Sequence, residues 1–247
     1  MSVPLKATNP LTNKTVSAEQ FLREVGPNYK EKNIIPFCPC CKKPMKLYGV
    51  LSKVRGLTFK HITDSGYCLF SLTRNNPFYH LKTSHIDFSA GEILKKEFCK
   101  EQNIKEAYAV ALKLCSNRLS TDEFIKLCTT ANKLNLWSLS RMDLKTVPYL
   151  LVTLMVFEEE DKSIKNHRKY SYKLKLNKPS GKIDSIWDNP SECYLEKLFE
   201  NGVQVKSHPD YMHPVVYHLY DQLYEEQRNN TQWMGASILK KLQLFCN

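Results

Sequence analysis

The stretch Phe37-Cys38-Pro39-Cys40-Cys41-Lys42-Lys43-Pro44-Met45 constrains the fold more than any other part of the chain, because it sets Cys38 and Cys41 with two residues between them on a short, basic, proline-containing turn. Such a turn supplies half of a tetrahedral zinc site, whose four N or S ligands stand about 2.0 to 2.3 Å from the metal. A basic segment leads on to Phe59-Lys60-His61 and then to Gly66-Tyr67-Cys68, so Cys38, Cys41, His61 and Cys68 form a candidate ligand set. Two ligand-bearing turns joined by a hairpin meet the demand of a metal without a large core. Cys40 lies between the two chosen thiols and is an alternative to either, while His80 and His85 are an alternative second half. Against this set stands the ordinary behaviour of a lone Cys as a buried thiol and a lone His as a surface imidazole. With all four positions filled by protein, the expected Zn2+ is structural and does not activate water.

At 247 residues the chain can hold one large domain or two small ones and can bury an ordinary core, so any metal should stabilise the fold locally. Nine cysteines without an amino-terminal apolar segment imply a reducing, cytoplasmic setting in which thiols stay free or bind metal. The longest apolar run, residues 147–157, falls well short of the roughly 20 residues of a membrane helix, and no spanning segment is expected.

The net charge of +11 is concentrated in two places. Between Cys38 and His85 the cations are Lys42, Lys43, Lys46, Lys53, Arg55, Lys60, Arg74 and Lys82, against the single acid Asp64. Lys162, Lys165, Arg168, Lys169, Lys173, Lys175, Lys178 and Lys182 form a second block, free of carboxylates and interleaved with Tyr170 and Tyr172. Cations clustered with aromatics suit phosphate neutralisation and base stacking, although isolated lysines usually serve only solubility. The expected partner is nucleic acid, DNA rather than RNA, met by Lys42, Lys43, Lys46, Lys53, Arg55, Lys60, Arg168, Lys169, Tyr170, Lys173 and Lys175.

The pattern of elements predicts an α+β protein in three parts. Residues 1–32 read as a helical lead-in, with Ser17 and Gln20 in a capping-box pattern before a helix over residues 18–25. Residues 33–88 read as a zinc-ribbon-like β-hairpin module, with strands over 46–51 and 57–62 and a turn at Arg55-Gly56. Residues 89–247 read as a mainly helical domain with a strand pair near 168–187. Ile93, Leu94, Phe98, Ile104, Ala107, Val110, Ala111 and Leu114 mark its first helices, and Ser120 with Glu123 opens another whose apolar face is Phe124, Leu127, Cys128, Ala131 and Leu134. Cys99, Cys115 and Cys128 fall on these patterns as core thiols. Residues 147–157 suit either a helix begun at Pro148 or a buried strand, Tyr170 to Leu176 alternate as a strand, and two closing helices follow His213-Pro214 and Trp233.

The order Phe37-Cys38-Pro39-Cys40-Cys41, a basic hairpin, Phe59-Lys60-His61 and Cys68 resembles the zinc-finger part of the competence protein CoiA-like families, over about a fifth to a quarter of the chain. The resemblance implies zinc ligation by Cys38, Cys41, His61 and Cys68, a role in handling DNA in a bacterial or mobile-element setting, and a nuclease-like portion after the finger. Where such families place an acid shortly before a His and a Lys, however, this chain has Lys82-Thr83-Ser84-His85, with no carboxylate. Residues 135–157 also resemble a part of uncharacterised bacterial proteins that carry this finger.

The residues leave two other functions open. Glu158, Glu160 and Lys162 follow an apolar segment as the acids and lysine of a metal-dependent nuclease do, with Asp122 or Asp143 as a partner, since phosphodiester cleavage by a hard cation needs carboxylates and a Lys. His208, His213 and His218 do not share one helical face and are expected in surface or packing roles. The third reading is an adaptor in which zinc only stabilises a hairpin and the helices dock a protein partner.

Overall fold

The structure is a computed structural model that describes residues 6–50, 56–62, 68–72, 76–83, 85–164, 167–199, 216–218 and 223–246. It shows the expected α+β architecture, helices with small antiparallel sheets, in two compact units, Met1–Ile86 and Asp87–Asn247. Among the described residues no helix is long and apolar enough to cross a membrane.

In the first unit the lead-in is part of the scaffold of the cysteine module. Strands β1 (Ala7–Thr8) and β2 (Thr15–Val16) pair antiparallel, and α1 (Ala18–Val25) starts where Ser17 caps the Gln20 N–H. Thr8 N–H donates to the Phe37 carbonyl at 2.7 Å and Phe37 N–H returns a bond to Thr8 at 3.1 Å, which fastens β1 to the residue before Cys38. Phe21 of α1 meets Tyr29 and Phe59 edge-on, at 5.5 and 5.6 Å between ring centroids, and all three rings are buried. Strands β3 (Met45–Tyr48) and β4 (Thr58–His61) form the expected hairpin, but both are shorter than the sequence pattern predicts. Gly49, with φ of 85°, ends β3, so the connection spans residues 49–57 and is not a tight turn at Arg55-Gly56; residues 51–55 lie outside the described set.

The second unit begins with α2 (Phe88–Phe98), α3 (Glu101–Leu114) and α4 (Thr121–Leu134). The capping box forms: Glu123 N–H donates to Ser120 Oγ at 3.1 Å and Ser120 N–H to Glu123 Oε2 at 2.9 Å. Phe124, Leu127, Cys128, Ala131 and Leu134 are buried as their spacing requires. Ile93, by contrast, is exposed, and α2 instead buries Gly91 and Phe98 against the 3₁₀ turn Leu136–Ser138. Residues 147–157 turn out to hold both expected elements in succession, α5 (Val147–Leu151) and β5 (Val156–Phe157).

The sheet order is β5, β6 (Tyr172–Asn177), β7 (Tyr194–Phe199) and β8 (Val216–His218), each pair antiparallel. The predicted strand at 183–187 is instead part of a turn and α6 (Ser185–Asp188), because the buried Ile183 and Ile186 repeat at helical spacing and not at a period of two. β6 therefore pairs with β7, beyond that helix. Residues 216–218 are a strand where a helix was expected, and α7 (Leu223–Arg228) and α8 (Ala236–Gln243) close the unit. His208 and His213 lie outside the described residues.

Cys99 is not a core thiol. It is bonded to Cys246, with 5.6 Å between the Cα atoms, which ties the end of α2 to the residues after α8 across 147 positions of sequence. Cys115 and Cys128 are buried free thiols, as expected.

Two measurements follow from this packing. A Cβ at Gly91 would stand 2.5 Å from Ser138 Oγ and 2.8 Å from Ser138 Cα. Gly91→Ala should therefore destabilise the protein by about 1 to 3 kcal/mol in chemical denaturation, reversing the gain of about 1 kcal/mol that the same change brings in an open helix. Alkylation of the denatured, chelated but unreduced protein should count seven thiols and not nine.

Candidate metal centre

The first pair of ligands stands on a tight stem. Phe37 and Pro44 bridge, Cys38 N–H donates to the Lys43 carbonyl at 2.9 Å, and Lys42 N–H donates to the Cys38 carbonyl at 2.9 Å. Lys42 takes a left-handed φ of 58° to close this turn, a conformation that a side chain with a Cβ adopts at a cost. Met45, the next residue after the stem, is opposite His61 in the hairpin register. Because side chains alternate along a strand, His61 shares the inner face with Phe59, Leu47 and Met45, and the last residue of β4 is delivered to the turn that holds Cys41. Cys68 comes on a second turn, in which Ser71 N–H donates to the Cys68 carbonyl at 2.9 Å and the buried Leu69 and Leu72 anchor the chain.

These elements bring Cys38, Cys41, His61 and Cys68 together, with all four donor atoms within 4.8 Å of one another, into a cluster able to hold a metal ion. Cys38 Sγ is 3.6 Å from Cys68 Sγ, and Cys41 Sγ is 3.2 Å from His61 Nε2. Two sulfurs at about 2.3 Å from one ion stand about 3.8 Å apart at the tetrahedral angle, and a sulfur and an imidazole nitrogen about 3.6 Å; these two observed edges are slightly shorter than that, within a group that spans up to 4.8 Å.

The backbone favours the thiolate form at each cysteine. Cys38 receives the Cys41 N–H, Cys41 the Lys43 N–H and Cys68 the Phe70 N–H, each from two or three residues downstream. Among themselves the thiols compete. Hydrogen bonding from Cys38, and then from Cys40, holds Cys68 far below the ordinary thiol range, while the same bonds together with burial push Cys38 and Cys40 up. Burial also raises Cys41.

Cys40 is buried beside Cys68 and takes the Leu69 N–H, but it is not among the four converging donors. His80 and His85 are not among them either: His80 Nδ1 is 3.2 Å from the Pro77 carbonyl, and the exposed His85 belongs to a local turn with Thr83.

The basic residues of the module divide by face. Lys42, Lys43 and Lys60 are exposed and Lys46 is half-buried; Lys53, Arg55 and Arg74 lie outside the described residues. Lys46 and Lys60 are directly opposite across the hairpin, and their ammonium groups stand 5.0 and 4.6 Å from the ring centroid of the exposed Tyr48. The aromatic ring takes up what would otherwise be a like-charge cross-strand repulsion. A hydrogen bond from Lys46, with the nearby Lys46, Lys60 and Lys30 charges, lowers the Tyr48 hydroxyl from its ordinary value. Sequence reasoning passed over Tyr48, although its place two residues after Lys46 on an alternating strand was the signal for it.

In the second basic block Lys169, Lys173 and Lys175 are exposed and Tyr170 is half-buried, with Lys175 opposite Glu196 on the sheet. Arg168 is the correction: only 3 % exposed, it donates through Nη2 to Glu123 at 3.1 Å and to the Arg118 carbonyl at 2.7 Å, and through Nη1 to the Glu158 carbonyl at 2.6 Å. Its charge is met inside the fold by Glu123 and by the carbonyls of Arg118 and Glu158.

The same clamp accounts for the acidic run. Glu160 stands 3.7 Å from Arg168, Glu158 accepts from Ser171 Oγ at 2.8 Å, and Asp161 caps the Ser163 N–H at 2.8 Å. Lys162 is exposed beside them. Among the described residues these carboxylates do not converge as a metal-holding group, and Asp122 and Asp143 serve elsewhere, Asp122 near Lys241 at 3.6 Å and Asp143 on the Thr146 N–H at 2.7 Å.

No protein-family model matches the chain, and neither a characterised protein nor a solved structure was found to be similar to it.

Elemental analysis of the purified protein should find one metal ion per chain, and Cys41→Ala and His61→Ala should each lose it. The hairpin should become disordered in both variants while the far-ultraviolet signal of the second unit's helices persists. Full metal occupancy in Cys41→Ala would overturn the assignment.

Proposed function

We propose that the protein is a zinc-containing nucleic-acid-binding protein in which Cys38, Cys41, His61 and Cys68 hold Zn2+ and the opposite face of the same hairpin meets phosphate. Three thiolates and an imidazole are a soft, four-coordinate donor set that suits zinc and leaves no open position, so the ion's part is structural. The observation that carries the reading is the outer face of β3 and β4, where Lys46 and Lys60 flank the exposed ring of Tyr48. Lys42 and Lys43 extend the cations onto the ligand-bearing turn, and no acid occurs from Cys38 to Ile62. Ammonium groups of this kind displace counterions from phosphate, and an exposed ring offers a base a surface on which to stack. The shared order of ligands with the CoiA-like finger supports DNA as the partner and a bacterial or mobile-element system as the setting.

One observation favours a protein partner instead: Ile35, Phe37, Val50 and Ile62 of the same unit are exposed. Apolar contacts of that kind are insensitive to salt, whereas phosphate contacts weaken steeply with it.

Fluorescence-anisotropy titration of labelled single- and double-stranded DNA over a range of salt separates the two. Binding should fall linearly on a log–log plot, and Lys46→Gln with Lys60→Gln should lower the slope by about 2, one for each ammonium group withdrawn from a phosphate. Tyr48→Ala should weaken single-stranded binding by about 1 to 3 kcal/mol. Salt-independent affinity, or none at low salt, would overturn the proposal.

A further inference from the structure

The second unit holds a small, part-open cationic cavity that the hairpin does not involve. Its volume is about 60 Å³, and Ser116, Arg118, Arg168, Lys169, Tyr172 and Lys197 are among its lining residues, with no carboxylate among the described residues that line it. Two of its cations are deeply placed, Arg168 at 3 % and Lys197 at 7 % exposure. Lys197 is on β7 at a position where the alternation of the strand points inward, next to the buried Leu195. Its ammonium group stands 2.9 Å from Ser116 Oγ and 4.2 Å from the centroid of the Tyr172 ring.

Arg168 is held from several sides. Its two Nη atoms bind Glu123, the Glu158 carbonyl and the Arg118 carbonyl, while its Nε, buried with the rest of the side chain, has no hydrogen-bond partner. Glu123 and Glu160 meet this guanidinium, but neither lines the cavity. A guanidinium N–H buried without a partner is costly, and an acceptor bound in the cavity would relieve that cost.

We propose that the cavity binds one phosphate group, as free phosphate or as the terminal phosphate monoester of a nucleic-acid strand. The donors fit that chemistry: a planar guanidinium, an ammonium group and a hydroxyl are the side chains that recognise phosphate oxygens. The size fits as well, since about 60 Å³ is some four to six times the space of one water-sized sphere and so admits a tetrahedral oxyanion. The site belongs to the second unit alone and does not depend on the metal centre, so failure of one leaves the other standing.

Isothermal titration of the full-length protein with inorganic phosphate should show one saturable site per chain. Lys197→Met, which keeps the side-chain volume and removes the charge, and Arg118→Gln, at a half-exposed position, should each weaken it at least about tenfold, a loss of about 1.4 kcal/mol. If Lys197→Met fails to fold by circular dichroism, Arg118→Gln carries the test. A short DNA strand with a 5′-phosphate that binds more tightly than its 5′-hydroxyl counterpart, with the preference lost in the variants, would make the strand end the source of the anion. Phosphate binding without such a preference would make free phosphate the ligand. The absence of both, or equal phosphate affinity in folded variants and wild type, would overturn the proposal.

Discussion

Thiols packed as closely as Cys38 and Cys68, whose sulfurs stand 3.6 Å apart, cannot both give up their protons unless a cation takes their place, and the first unit is arranged around that constraint. With protons present, Cys68 draws hydrogen bonds from its neighbours and they are pushed up in return. With a metal, the same closeness becomes a ligand sphere, and the downstream backbone N–H groups that already point at Cys38, Cys41 and Cys68 stabilise the resulting thiolates. Everything around the cluster serves its geometry. The bridge from Thr8 to Phe37 sets the start of the first turn, Phe21 braces Phe59, and the pairing of Met45 with His61 decides which way the imidazole faces.

The hairpin that carries the imidazole also separates two kinds of chemistry by the simple alternation of strand side chains. One face is apolar and ends in a ligand; the other presents Lys46, Tyr48 and Lys60 to solvent. A change that shifted the register by one residue would turn His61 outward and the lysines inward, so metal binding and the presentation of cations are linked through one ladder of hydrogen bonds. In the second unit Arg168 plays the organising part. It gathers Glu123 of a helix cap, the carbonyls of Arg118 and Glu158, and Glu160, and it stands 5.5 and 5.8 Å from the ring centroids of Phe157 and Tyr172. An acidic run that resembles a catalytic motif in the linear chain is thereby a connection between β5 and β6.

The ligand set was legible because metal chemistry leaves a spacing in the chain: Cys-x-x-Cys, an aromatic-x-His and a later Cys read the same before and after folding. The choice of Cys41 over Cys40, and of His61 and Cys68 over His80 and His85, was legible only as one option among several, since it rests on where each donor points. Helix α4 was equally clear, for its cap and its apolar face both lie within 15 residues of one another and need no distant partner. Errors arose where distant residues decide. Ile183 and Ile186 are buried at helical spacing while the strand that pairs with β6 starts only at Tyr194, Ile93 is left outside by the packing of Gly91 on Ser138, and Cys99 finds Cys246 at the other end of its unit. Arg168, counted among surface cations on composition, is buried because three elements converge on it.

The sequence by itself determined the candidate ligands, the basic character of the hairpin and the helices whose periodicity and caps are local, because each depends on residue types at short separations. Only the tertiary structure decided which donors meet, which lysines share a face with Tyr48, and that Arg168 and Lys197 line one cavity. Those outcomes follow from cross-strand register and from packing between distant segments, where a displacement of one residue changes which groups are buried and which face water.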